Sequence, residues 1–209
     1  MSLSEIQLSL LHQASRKLTR VDLAPYVRLR WLLPVKTDEA RAEFRKVFAQ
    51  FYRLGGAGLT EAWKDRYFQL LFDFKPGEVD PHARLLRDLY KYPRAKGDQA
   101  LEFSFVSKLV ATHDESQPIY DSHVRAFFGL EPVGPGPVKE RIQEFRGIVA
   151  TVRKSYAGWV ADPRFPPLLK TLVDTEPELA HSHPRRLCDM LVWTVGGKHL
   201  TAGAKGNQV

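Results

Sequence analysis

The chain has 209 residues, of which 44% are hydrophobic and 11% aromatic, and this composition is typical of a globular protein and excludes wholesale disorder. Its 31 Lys and Arg residues outnumber 24 Asp and Glu residues, which gives a formal net charge of +7. This positive balance favours a polyanionic partner, because phosphates that bind Lys or Arg release their counterions. The single cysteine, Cys188, excludes an intrachain disulfide and a cysteine-based metal site.

The beginning of the chain and its apolar runs bear on location. Residues 1–5 lack the basic and apolar regions of a signal peptide. No apolar run approaches the roughly 18–20 residues of a membrane span. We therefore expect a cytoplasmic protein with no membrane contact.

Helical periodicity runs through nearly the whole chain, and no convincing run of alternating strand residues interrupts it. The first five helices have predicted N-caps or starting residues, namely Ser2 or Ser4, Asp22, Thr37, Thr60 and Asp80. The sequence therefore predicts an all-α fold of about ten helices.

A sixth helix, with Asp98 as its cap, is predicted to run to about His113. Apolar residues cover most of its circumference, which is typical of a helix at the centre of a fold. One narrow polar stripe remains, formed by Ser104, Lys108 and Thr112. We expect the other helices to pack around this one.

The later part of the chain contains a break that organises the domain. The stretch 131–137 holds three prolines and two glycines, which predicts a rigid loop. It would join lobes 1–130 and 138–197 of a single helical domain spanning 1–200. A last helix, Pro184 to Val195, is predicted to end at Gly196-Gly197, with residues 201–209 as a disordered tail.

Several classes of site are missing from the sequence. It has no phosphate-binding loop that ends in Gly-Lys-Ser/Thr, no Gly-x-Gly-x-x-Gly and no His-Glu-x-x-His. His181 and His183, with His199 further along the chain, are interpreted as histidines that bind no metal, the first two in an exposed loop before Pro184. We therefore expect no cofactor and no metal, and we expect Cys188 to be a buried, unreactive thiol.

The most specific pattern lies in the segment Gln117–Leu130, which reads Gln-Pro-Ile-Tyr-Asp-Ser-His-Val-Arg-Ala-Phe-Phe-Gly-Leu. Asp121-Ser122 is predicted to cap a seventh helix that Gly129 ends. The segment resembles the Val-Asp-Thr-His-Val-x-Arg stretch of the helix–hairpin–helix DNA glycosylases. In this resemblance, which covers residues 98–130, Asp121 occupies the place of the family's catalytic Asp, Ser122 stands for its Thr, and His123 matches its His.

The resemblance implies a two-lobed helical architecture and a DNA-binding protein that cleaves the N-glycosidic bonds of flipped bases. A carboxylate at a helix N-terminus can stabilise the oxocarbenium-like sugar or orient the attacking water. Asp121 would then be catalytic. The residues expected to line the substrate pocket are Ser104, Tyr120 and His123, and those expected to contact DNA are Lys96, Gly97, Ser122 and Arg125.

The chain departs from this family at the hairpin. The family's Leu-Pro-Gly-Val-Gly-x-Lys hairpin is absent, and only Lys96-Gly97 offers a comparable phosphate-binding turn. Phe103 falls near the position of the nucleophilic Lys of bifunctional members, which excludes covalent lyase chemistry there. Lys108 is the nearest alternative amine and a second candidate for catalysis.

Two other interpretations stay open. Lys108 can be a structural lysine that extends its amine to solvent. The whole chain can be a non-enzymatic helical module that binds nucleic acid or a protein, in which Asp121 only caps its helix.

Overall fold

A computed structural model of the chain describes the backbone of residues 3–205 and the side chains of residues 3–196. This part is all-α and contains no β-strand, only an isolated bridge between Leu59 and Arg94. The ten α-helices are α1 (Glu5–Ser15), α2 (Arg20–Leu32), α3 (Asp38–Phe51), α4 (Glu61–Phe72), α5 (Pro81–Leu89), α6 (Phe103–His113), α7 (Ser122–Phe128), α8 (Val138–Val160), α9 (Pro166–Thr175) and α10 (Pro184–Lys205). Two short 3-10 helices lie at Leu54–Gly56 and Pro177–His181.

Helix capping follows the sequence closely. The side chains of Ser4, Thr37, Thr60, Asp80 and Asp121 each accept a hydrogen bond from a backbone N–H in the first turn of α1, α3, α4, α5 and α7. At α1 the Gln7 side chain also accepts from the Ser4 N–H, which completes a capping box. Gly129 ends α7 with φ +61°, a conformation that favours glycine.

The chain divides into two compact units, and their boundaries differ from the predicted lobes. Unit 1 consists of Met1–Thr19 and Asp114–Val209, and unit 2 is the continuous stretch Arg20–His113. The loop 131–137 therefore lies inside unit 1 and does not separate the units.

Unit 2 contains α2 to α6 around an aromatic core. Its rings contact one another in edge-on, stacked or tilted pairs, and they come from α3, α4 and α6: Phe44, Phe48, Trp63, Tyr67, Phe68, Phe72 and Phe105. Eight of the eleven residues of α6 are buried, which agrees with the apolar character of its sequence. The Tyr67 hydroxyl donates to the Phe105 carbonyl at 2.9 Å and ties α4 to α6.

The predicted start of this helix was wrong, because α6 begins at Phe103 and not after Asp98. The Asp98 carboxylate instead pairs with the Arg94 guanidinium, and the Asp98 carbonyl accepts from the Arg94 N–H at 2.8 Å. Between them Gly97 has φ +84°. These contacts close a turn over residues 94–98 that uses the groups a helix cap would need.

Unit 1 contains α1 and α7 to α10, and α10 contacts each of the other four helices. The prediction that Gly196-Gly197 ends this helix was wrong, because α10 continues to Lys205. The predicted tail 201–209 therefore begins inside α10, and residues 206–209 lie outside the described part. Within residues 3–205, no helix combines the length and apolar character needed to cross a membrane.

Candidate functional site

Asp121 lies at the start of α7 with its side chain 8% exposed. Its Oδ1 accepts hydrogen bonds from the backbone N–H groups of His123 and Val124, both at 3.0 Å. Its carbonyl accepts the first helical bond, from the Arg125 N–H at 2.9 Å. The carboxylate is thus held in one orientation, in a place where the helix dipole stabilises negative charge.

Tyr120 directly precedes this carboxylate and is buried. Its ring packs edge-on against Phe145 of α8, with centroids 5.3 Å apart, and its hydroxyl accepts from the Val133 N–H at 3.4 Å. Burial raises the pKa of the Tyr120 hydroxyl above its ordinary value. The ring therefore supports the backbone that leads into Asp121, and the predicted role in a pocket wall remains a prediction.

His123 and Trp193 form a stacked pair beside the Asp121 cap. Their ring centroids are 4.8 Å apart and the planes differ by 19°. The His123 Nδ1 lies 3.2 Å from the Trp193 carbonyl oxygen. The sequence interpretation did not predict Trp193 as a site residue. It is the aromatic residue of α10 that packs against the predicted pocket residue His123.

Ser122 and Arg125 occupy the first turn of α7 and were predicted to contact DNA. Ser122 is exposed, and Arg125 is half-buried. The Arg125 guanidinium lies close enough to the Tyr120 hydroxyl to influence its pKa. Both side chains are therefore on the same short helix as His123, and their contact with DNA remains a prediction.

Asp189 of α10 is a buried carboxylate that the sequence interpretation did not include. Its two oxygens accept from the Ile119 N–H at 3.3 and 3.1 Å, and its Oδ2 lies 2.7 Å from the Arg186 Nη1. The contact with Ile119 connects α10 to the extended segment that precedes Asp121. The only available signal was an Arg and an Asp three residues apart in an otherwise apolar helical stretch.

The surroundings of Asp189 disfavour its charged form. Burial raises the pKa of the Asp189 carboxyl to about 7, against the opposing effect of the Arg186 guanidinium, and the nearby Asp121 carboxylate raises it further. The Tyr156 hydroxyl also faces Asp189, without a well-formed hydrogen bond in the described part, and burial raises the pKa of Tyr156 well above its ordinary value. We therefore expect the Asp189 carboxyl to lose its proton in the neutral range.

We expect Asp189 to make stability depend on pH. The unfolded chain loses this proton near pH 4, whereas the folded protein keeps it until about pH 7. The folded state therefore binds the extra proton in this window, and the free energy of unfolding falls as pH rises through it. Urea denaturation of the wild type and Asp189→Asn from pH 4.5 to 8 checks this, because asparagine cannot ionise.

The wild type should lose stability relative to Asp189→Asn by up to roughly 1 kcal/mol per pH unit in this range. An exposed aspartate of the same unit, Asp174, is the control, and Asp174→Asn should keep the wild-type pH profile. A stability difference between wild type and Asp189→Asn that stays constant with pH would contradict the expectation.

Lys108 and Ser104 come together in unit 2. The Lys108 side chain is buried, and its Nζ donates to the Ser104 Oγ at 3.0 Å. The same Nζ lies 5.3 Å from the Tyr52 ring centroid and 5.1 Å from that of Phe105, which are cation–π distances. The structure therefore contradicts the interpretation in which Lys108 extends its amine to solvent.

Lys96 and Gly97 also lie in unit 2, in the turn over residues 94–98. The Gly97 N–H donates to the Arg94 carbonyl at 2.9 Å, and the Ala95 N–H donates to the Gly58 carbonyl at 2.8 Å. Lys96 is exposed. The turn is therefore well fixed, although two of its amides already serve internal bonds, and phosphate contact there remains a prediction.

Among the residues whose side chains are described, no three His, Cys, Asp or Glu residues form a group that could hold a metal ion. Cys188 is buried as predicted, and burial raises the pKa of its thiol well above the ordinary value. The thiol therefore stays protonated and unreactive.

Comparison of the chain with protein-family models, with curated protein sequences and with solved structures finds no match.

Proposed function

We propose that the protein binds DNA and hydrolyses the N-glycosidic bond of a base that has left the stack, with Asp121 as the catalytic carboxylate. The observation that carries the proposal is the fixed position of this side chain, whose Oδ1 receives the N–H groups of His123 and Val124 at 3.0 Å. Positive charge develops on the sugar as the bond to the base breaks. A carboxylate that is already oriented stabilises this charge without rearranging.

The surroundings of Asp121 support the same proposal. An aromatic pair, His123 and Trp193, lies beside the cap, and α7 carries Arg125 but no acidic residue. The net charge of +7 favours a phosphate backbone as partner. The division of the chain into two compact helical units is compatible with a two-lobed architecture.

The test is single-turnover base release from a panel of duplexes that each contain one damaged or mismatched base. We expect the wild type to release a base from at least one duplex, and Asp121→Asn to release it about a hundredfold or more slowly. Asparagine caps a helix about as well as aspartate, so the variant should keep its circular dichroism spectrum and its thermal midpoint.

Asp80→Asn is the matched control, because Asp80 is also a helix cap, and its side chain accepts from the Ala83 N–H at the start of α5 in unit 2. It should release bases at the wild-type rate. Equal release by wild type and Asp121→Asn would remove Asp121 from the mechanism.

The second candidate function is a non-enzymatic helical module that binds nucleic acid. The burial of Asp121 favours it, since a carboxylate that is 8% exposed and caps its own helix also fits a structural role. Binding of duplex or single-stranded DNA without base release from any member of the panel would support this function and overturn the enzymatic one.

A further inference from the structure

Two of the four tryptophans are exposed, and they differ in their surroundings. Trp193 of α10 in unit 1 is 42% exposed and stacks on His123, whereas Trp31 of α2 in unit 2 is 61% exposed and makes no ring contact in the described part. Trp63 and Trp159 are fully buried. A flat aromatic ligand can stack on the open part of the Trp193 indole, beside the Asp121 cap.

The His123–Trp193 pair is held rigidly between α7 and α10. The imidazole packs 4.8 Å from the indole, and its Nδ1 is 3.2 Å from the Trp193 carbonyl. Three residues further along α10, Gly196 lies so close to the His123 backbone that an added Cβ would be 2.1 Å from the carbonyl oxygen. The two rings therefore present a fixed face, which keeps the entropy cost of stacking a ligand low.

The charge around the pair favours a polyanion. Helix α7 contains no acidic residue and carries Arg125 two positions after His123. After the buried Asp189, the sequence contains no further Asp or Glu. A basic or purely apolar partner gains little from such a surface, whereas a nucleotide supplies both a flat ring and a phosphate.

We infer that His123 and Trp193 form a stacking platform for an unpaired nucleobase of DNA. The ligand is a base outside the duplex, either in a single strand or next to a site where the duplex has opened. Such a base offers its π-face to the exposed Trp193 indole, and Arg125 of α7 is the cation on the same element for its backbone phosphate. The inference rests on the proposed function for the identity of DNA as partner, and adds how an unpaired base is held.

The test uses tryptophan fluorescence in two matched variants that each keep one exposed indole. Trp31→Phe retains Trp193, and Trp193→Phe retains Trp31. We expect a thymidine dodecamer to quench Trp31→Phe and to leave Trp193→Phe nearly unchanged. A dodecamer of abasic tetrahydrofuran residues, which has the same phosphates and no bases, should not quench either variant.

Affinity supplies the second readout. Trp193→Leu keeps an apolar side chain at this position, and circular dichroism verifies that the variant folds. It should bind the thymidine dodecamer about tenfold or more weakly than the wild type does. The loss should be the same at low and high salt, because stacking releases no counterions. Trp31→Leu should bind like the wild type, and Arg125→Gln should lower the salt slope by about one.

Several results would overturn the inference. Quenching by the abasic dodecamer as strong as that by the thymidine dodecamer would do so, as would unchanged affinity of Trp193→Leu. Quenching of Trp193→Phe but not of Trp31→Phe would place the base at Trp31. Absence of binding to both dodecamers is the result expected of a surface for a protein partner. The proposed enzymatic function fails separately. Quenching through Trp193 without base release would support the platform and contradict the enzymatic function. Base release that is unaffected in Trp193→Leu would support the role of Asp121 and contradict the platform.

Discussion

Replacing Asp189 with alanine at pH 8, above the raised pKa of its carboxyl, is expected to lower the free energy of unfolding by about 3–5 kcal/mol, the usual cost of removing one partner from a buried ionic contact. The side chains of Asp189 and Arg186 are 4% and 3% exposed, and their contact is 2.7 Å long. The substitution also removes the acceptor of the Ile119 N–H, and a buried donor without an acceptor is itself costly. Urea denaturation at pH 8, where the Asp189 carboxyl is ionised, measures the loss.

The control for Asp189→Ala is the exposed pair formed by Lys170 and Asp174 in α9, which is also an ion pair within a single helix. Asp174→Ala should cost less than about 1 kcal/mol, because water screens both charges and competes for them. Similar losses for the two variants would contradict the importance we assign to burial. If Asp189→Ala loses the expected free energy of unfolding but releases bases at the wild-type rate, the contribution of Asp189 is structural and separate from the chemistry at Asp121.

Replacing Gly196 with alanine is the second substitution with a large expected effect, a destabilisation of about 1–3 kcal/mol or more. An added Cβ would lie 2.1 Å from the His123 carbonyl oxygen and 2.8 Å from its Cα. These are backbone atoms at the start of α7, so relief requires α7 and α10 to move apart. Thermal or urea denaturation measures the loss, and altered Trp193 fluorescence reports the local change.

Gly147→Ala is the matched control, since Gly147 lies in the middle of α8 and no atom falls within 4 Å of an added Cβ. Alanine is the better helix former, so this variant should gain about 1 kcal/mol. The same substitution therefore has opposite expected signs at the two glycines. A stabilised Gly196→Ala protein would show that α7 and α10 do not pack at this distance.

The features that could be predicted from the sequence are those that depend on neighbouring residues. Helix caps at Thr37, Thr60 and Asp121 satisfy N–H groups two or three positions away, so their signal is contained within a few residues. The all-α class follows from apolar periodicity in the same way. The orientation of the Asp121 carboxylate toward the first turn of α7 was predictable for this reason.

The features that could not be predicted depend on residues far apart in the chain. Gly196 is a residue type typical of a helix end, but α10 continues through it, and the close approach to the His123 backbone is what requires glycine there. Asp98 has the composition of a cap but is engaged by Arg94. Asp189 contacts Ile119, 70 positions earlier, and nothing in the local pattern indicates that partner.

The order of the two units along the chain has a consequence for synthesis. Unit 2 is one continuous stretch, Arg20–His113, so all of its partners are present as soon as that stretch has left the ribosome. Unit 1 needs α1 as well as α8 to α10, and Arg164 pairs with Glu5 and donates to the Leu3 carbonyl across 161 positions. The apolar face of α1 must therefore wait for most of the chain, and during that interval it is a surface for a chaperone or for misassembly.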